Sequence, residues 1–122
     1  MNDCIAKEVA EIFNLLERKN SYLLEFHKIN NKEIMQLSRG CIQNLENFYY
    51  SRELLLNAIN RLDKQFKDKN FSRSCEMNSQ EKKKLSEMLK LKNNMIQSIL
   101  NQDVTILSLV DKLNEGKLPI AS

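Results

Sequence analysis

LSEMLKLKNNMIQSILNQDVTILSLVDKL, residues 85–113, is the stretch on which the fold turns. Its apolar residues fall at Leu85, Met88, Leu89, Met95, Ile96, Ile99, Leu100, Ile106, Leu107, Val110 and Leu113. Steps of three and four mark one face of a long helix, and no glycine or proline interrupts it. Leu91, Val104 and Leu109 widen the apolar arc beyond what one neighbouring helix needs. Two charged residues, Lys92 and Asp103, sit inside it. So wide a face calls for two partners, both supplied by this chain or one in part by a second protein.

Just upstream, Asn78 followed by Glu81 is a helix N-cap with its reciprocal carboxylate. Downstream, Gly116 is a helix stop and Pro119 confirms it. The third helix is therefore placed at about 79–115, with a short tail over 117–122. The preceding segment, NFSRSCEMNS at 70–79, is polar and reads as a break. Its isolated Phe71 and Met77 are expected to fold back over the end of the bundle.

The second helix is placed at about 31–69. Its inner face is Ile34, Leu37, Cys41, Leu45, Phe48, Leu55, Ile59, Leu62 and Phe66. Gly40 lies inside it, as a bend or a point of close helix contact. Tyr50 and Leu54 lie one turn apart, nearly opposite the inner face. They read either as scattered surface side chains or as a contact patch. The first helix is placed at about 3–29, capped by Asn2 or Asp3, with a stripe of Ile5, Val9, Ile12, Leu16 and Leu23. Asn30-Asn31, with Glu33 as a box-like partner, reads as a tight turn between the two helices. A helix running straight through is the alternative, because asparagine disfavours helix only weakly.

Composition agrees. The 122 residues contain two glycines and one proline, too few turn residues for a β-architecture. The expected fold is a single all-α domain over 1–122. It is an elongated antiparallel three-helix bundle, a helical hairpin with a third long helix. Net charge is +3, and Lys82, Lys83 and Lys84 form the only basic run. A run at a helix start is a solvated end, and no basic face with a groove-entering motif accompanies it, so nucleic acid is not an expected partner. Cys4, Cys41 and Cys75 are odd in number and lack CxxC spacing, which fits reduced thiols in the cytoplasm. No signal peptide is expected from the first residues. No apolar run approaches the roughly 20 residues of a membrane span, so no membrane insertion is expected.

The chemistry of catalysis is missing from the sequence. His27 is the single histidine, so no set of metal ligands at zinc spacing is formed. Isolated glycines make no phosphate cradle. The expectation is a non-enzyme without cofactor. If the helices run up, down and up, Lys19 comes close to the level of Asp103. The two charges then either reach solvent separately, their stems lying along apolar surface, or form a partly buried pair that sets register.

The segments LLERKNSYLLEF (15–26), LENFYYSRELLLNAINRLD (45–63) and IQSILNQDVTILSLVDKL (96–113) resemble the FlgN/FliT-type flagellar export chaperones. Arg52, Leu55 and Leu56 match the second-helix Arg-x-x-Leu-Leu-like element of that family, and Asp103 resembles an aspartate of its third helix. The resemblance implies a cytosolic chaperone that keeps flagellar axial subunits, hook-associated or filament-cap proteins, soluble before export. It also implies docking on the export apparatus. It assigns the cargo contact to Ile99, Ile106, Leu109, Val110 and Leu113. Ile106 and Leu109 lie at the flank of the apolar arc, where partial exposure is expected; Tyr50 and Leu54 are the rival patch. A homodimer or larger coiled-coil assembly, and a regulatory helical adaptor, are the other readings.

Overall fold

In the computed structural model of this chain, residues 3–68 and 77–116 are described, with side chains over 7–67 and 77–116. They form three α-helices and no strand: α1 (Asp3–Ser38), α2 (Leu45–Asp68) and α3 (Ser79–Asn114). The all-α three-helix architecture is as the sequence implies. The cap at Asn2 or Asp3, Cys4, Ile5, Lys69, Phe71, Cys75 and the 117–122 tail with Pro119 lie outside the described residues or, for Asp3, Cys4 and Ile5, outside the described side chains.

The first turn is not where the asparagines put it. α1 runs unbroken through Asn30 and Asn31 for 36 residues, about 54 Å at ~1.5 Å per residue. It stops at Gly40, whose φ of 80° is open to glycine at little cost. The Cys41 N–H donates to the Gln36 carbonyl at 2.9 Å, and the Gly40 N–H to the Leu37 carbonyl at 2.9 Å. Those two bonds are a Schellman cap. Gly40 is thus the end of α1 and not a bend within α2, and α2 begins at Leu45 rather than Asn31.

Both ends of α3 follow the sequence. Asn78 Oδ1 accepts from the Glu81 N–H at 2.8 Å, and the Asn78 N–H donates to Glu81 Oε1 at 2.9 Å. Gly116 has a φ of 72° just past α3, where an added Cβ would be strained by the backbone alone.

α1 is the central helix. It packs most extensively on α3 and less on α2, while the backbones of α2 and α3 scarcely approach. Contacts at 20–88, 27–98 and 30–102 rise together, so α1 and α3 run parallel. The Lys19–Asp63 pair and the approach of Arg52 to Phe26 descend, so α2 is antiparallel.

The core is layered. Val9, Ile12 and Leu16 close one end with Met77, which folds back as expected. Leu23, Phe26, Ile59 and Ile99 form the middle. Leu37, Phe48, Ile106 and Leu113 close the other end. Polar residues separate the layers. Asn20 Nδ2 donates to the Met88 carbonyl at 3.2 Å. Asn30 is fully buried and donates to Gln102 Oε1 at 3.0 Å. Gln102 Nε2 in turn donates to the His27 carbonyl at 3.1 Å and to Asn31 Oδ1 at 2.9 Å. The asparagines that suggested a turn are therefore half of an amide lock between α1 and α3. His27 Nε2 lies 2.9 Å from Ser98 Oγ in the same seam.

Candidate functional site

Because α2 and α3 both lie on α1 and hardly on each other, a groove remains between them. Leu23 and Phe26 of α1 form its floor, Leu56 and Ile59 one wall, and Ile96, Ile99 and Leu100 the other. This part encloses about 300 Å³. Beyond Lys19 it continues for about 160 Å³ between Leu62 and Phe66 on one side and Leu89 on the other. Lys67 and Lys92 stand on its walls there.

Two ion pairs mark the groove. Lys19 Nζ donates to Asp63 Oδ1 at 2.6 Å and ties α1 to α2 where the two sections meet. Arg52 Nη2 lies 2.8 Å from Asp103 Oδ1 and ties α2 to α3 across the groove. The Arg52 guanidinium also sits over two rings, 4.8 Å from the Phe26 centroid and 5.1 Å from that of Phe48. Those faces attract a cation. Its Nε is buried without an acceptor. The Lys19–Asp103 pair considered from sequence does not form; each charge finds α2 instead. The reason is the turn. Moving it from 30–31 to the 39–44 segment lowers α2 and α3 along α1, so Asp103 comes to the level of Asn30 and not of Lys19.

Among the residues expected to form a partner face, the structure separates core from surface. Ile106 is 1% exposed, and Ile99 and Leu113 are buried with it. The expected partial exposure of Ile106 is corrected: Gln102, Ile106 and Leu113 form the face of α3 that packs on α1. Leu109 and Val110 are half-buried against the same layer. Tyr50 and Leu54 are exposed, 63% and 52%, on the outer side of α2 and away from the groove. The apolar side chains left open along the groove are others. Leu56 and Leu100 line it and remain half exposed. Seven-residue steps along the same faces lead to Tyr49 on α2 and to Leu107 on α3, the latter 61% exposed.

One signal for this groove was present in the sequence: Lys92 and Asp103 interrupting the apolar arc of α3. Both line the groove. Polar residues inside a stripe marked the boundary of the packed face, with the residues on one side core and those on the other side open.

Comparison with family models, with curated proteins and with solved structures finds no match for this chain. Among the described residues, no group of three or more histidine, cysteine or acidic side chains could hold a metal ion. No helix among them is long and apolar enough to cross a membrane.

Proposed function

We propose that this chain is a non-enzymatic docking protein that seats an amphipathic helix of a protein client in the groove between α2 and α3. The observation that carries the reading is a three-helix bundle with a missing fourth side. Two helices stand apart on a common floor, and Leu56 and Leu100 face each other half exposed. A client helix presenting apolar residues at steps of three, four and seven would complete the bundle. Fully burying an aliphatic side chain is worth about 1.5–3 kcal/mol, so the half still open on each groove leucine leaves a driving force for association.

The class of client comes from the resemblance. We propose flagellar axial subunits, hook-associated or filament-cap proteins, held in the cytoplasm until the export apparatus takes them. Arg52, Leu55 and Leu56, the residues that carry the likeness in α2, are supporting observations because Arg52 and Leu56 line the groove and Leu55 packs behind it.

The test is fluorescence anisotropy with labelled C-terminal helices of hook–filament junction and filament-cap proteins of the source organism. Saturable binding is expected. Leu100→Glu should weaken it at least about tenfold, the equivalent of about 1.4 kcal/mol, without lowering the melting temperature. Leu54→Glu, on the outer face, should leave it unchanged. No saturation by any such peptide would exclude this client class. Loss of binding in Leu54→Glu alone would move the contact off the groove. A stable dimer without client, abolished by Leu100→Glu, would mean that a second copy fills the groove.

A further inference from the structure

On a separate part of the α1–α2 seam lies a second pocket, of about 240 Å³, which shares no lining residue with the groove. Glu33 lines it. Glu33 is 4% exposed, and its Oε1 is buried with no hydrogen-bond partner. A buried, unpartnered carboxylate oxygen is costly in the charged form, and burial accordingly holds the Glu33 carboxyl above its ordinary value, against a smaller opposing pull from Lys32. No hydrogen bond within the bundle uses the buried Glu33 Oε1.

The remaining lining describes what would relieve it. Ile29 and the Phe48 ring make apolar walls, and Gln36, Asn44 and Asn47 add amide oxygens. Apolar walls suit an alkyl stem, and amide oxygens accept from an ammonium's several N–H groups. One carboxylate among neutral amides falls short of the oxygen set that a divalent ion needs. Lys32, also on the lining, is exposed and makes no hydrogen bond to the buried Glu33 Oε1.

We propose that this pocket receives a primary ammonium on an alkyl stem, which pairs with the Glu33 carboxylate. The source is either a lysine side chain of a protein partner or a free alkylamine. Entry of the cation favours the charged carboxylate, the form that burial alone disfavours.

The test is an amide ¹H–¹⁵N titration of the full chain with butylammonium chloride and, separately, with N-acetyl-lysine methylamide. Butanol and sodium chloride serve as controls. Saturable shifts are expected at Asn44, Asn47, Phe48 and Ser51 and not at Leu56, Ile96 or Leu100 of the groove. In Glu33→Gln, which keeps the shape of the side chain, the affinity should fall at least about tenfold. Binding of both probes assigns the pocket to a lysine side chain; binding of butylammonium alone assigns it to a free amine. Absence of saturation by either, or equal affinity in Glu33→Gln, overturns the proposal. If Glu33→Gln does not fold, Asn47→Leu, which removes an amide oxygen at the same pocket, serves as the second variant under the same criteria.

Discussion

The two sides of α1 are built from different chemistry. Toward α3 the polar residues are neutral amides and an imidazole: Asn20, His27, Asn30 and Gln102. Toward α2 they are charges, with Lys19 on Asp63 and Arg52 reaching over the rings to Asp103. The amides are buried and directional, so each demands one register. A shift of α3 by one turn would leave Asn30 and Gln102 buried and unpaired. The charge pairs are part exposed, and such pairs contribute about 0–1 kcal/mol. The lesson is that α3 is locked onto α1 while α2 is tied to it by weaker polar contacts at the rim of a groove, which is where the bundle can adjust at least cost.

The sharpest probe contrasts neighbours on α3. Ile106→Ala should cost about 2–5 kcal/mol in urea denaturation, as truncation in a packed core does. Leu107→Ala, on an exposed position, should stay within about 0.5 kcal/mol. Equal losses would show that the groove side of α3 is packed after all.

Next comes the amide lock. Gln102→Leu removes the acceptor of Asn30 and the donor to His27 and Asn31, leaving buried polar groups unmatched. The expected loss is about 1–3 kcal/mol, again from denaturant midpoints. An unchanged midpoint would mean that the asparagines are not what holds α3 in register.

Arg52→Met keeps an apolar stem over Phe26 and Phe48 but removes the charge. Stability should fall by only about 1 kcal/mol, from a cation–π term of about 0.5–1 kcal/mol and a part-exposed ion pair. Hydrogen exchange of α2 amides should quicken relative to those of α1 and α3. A loss exceeding that of Gln102→Leu would reverse the ranking of the two sides.

The smallest effect is read from pH. The Glu33 carboxyl is held above its ordinary value of 4.5 by burial. The folded state therefore binds this proton more tightly than the unfolded chain does. The resulting stabilisation is complete below the ordinary value and disappears as pH rises through the raised one. Glu33→Gln should match the parent protein in acid and then melt progressively higher than it as pH increases, levelling off once the parent carboxyl is ionised. A constant difference in melting temperature at all pH values would remove Glu33 from the account.

Much of this was legible along the chain. Scarcity of glycine and proline, and three wide apolar stripes, determine three long helices. Asn78 with Glu81, and Gly116, set the bounds of α3 through chemistry local to a few residues. Met77 was readable as an end plug because an isolated apolar residue beside a helix start has nowhere else to bury. Tertiary structure decided the rest. At Asn30-Asn31 the helix penalty of an asparagine is only a few tenths of a kcal/mol, less than a buried amide pairing with Gln102 returns, and that partner lies 72 residues away. With the asparagines absorbed, the chain turned at the glycine that tolerates positive φ, and every level on α2 and α3 moved with it. The fate of the wide arc on α3 was settled in the same way. Periodicity makes Ile106 and Leu107 equally apolar members of one face, and only the position of α1, set by contacts distant in sequence, buries the first and leaves the second open.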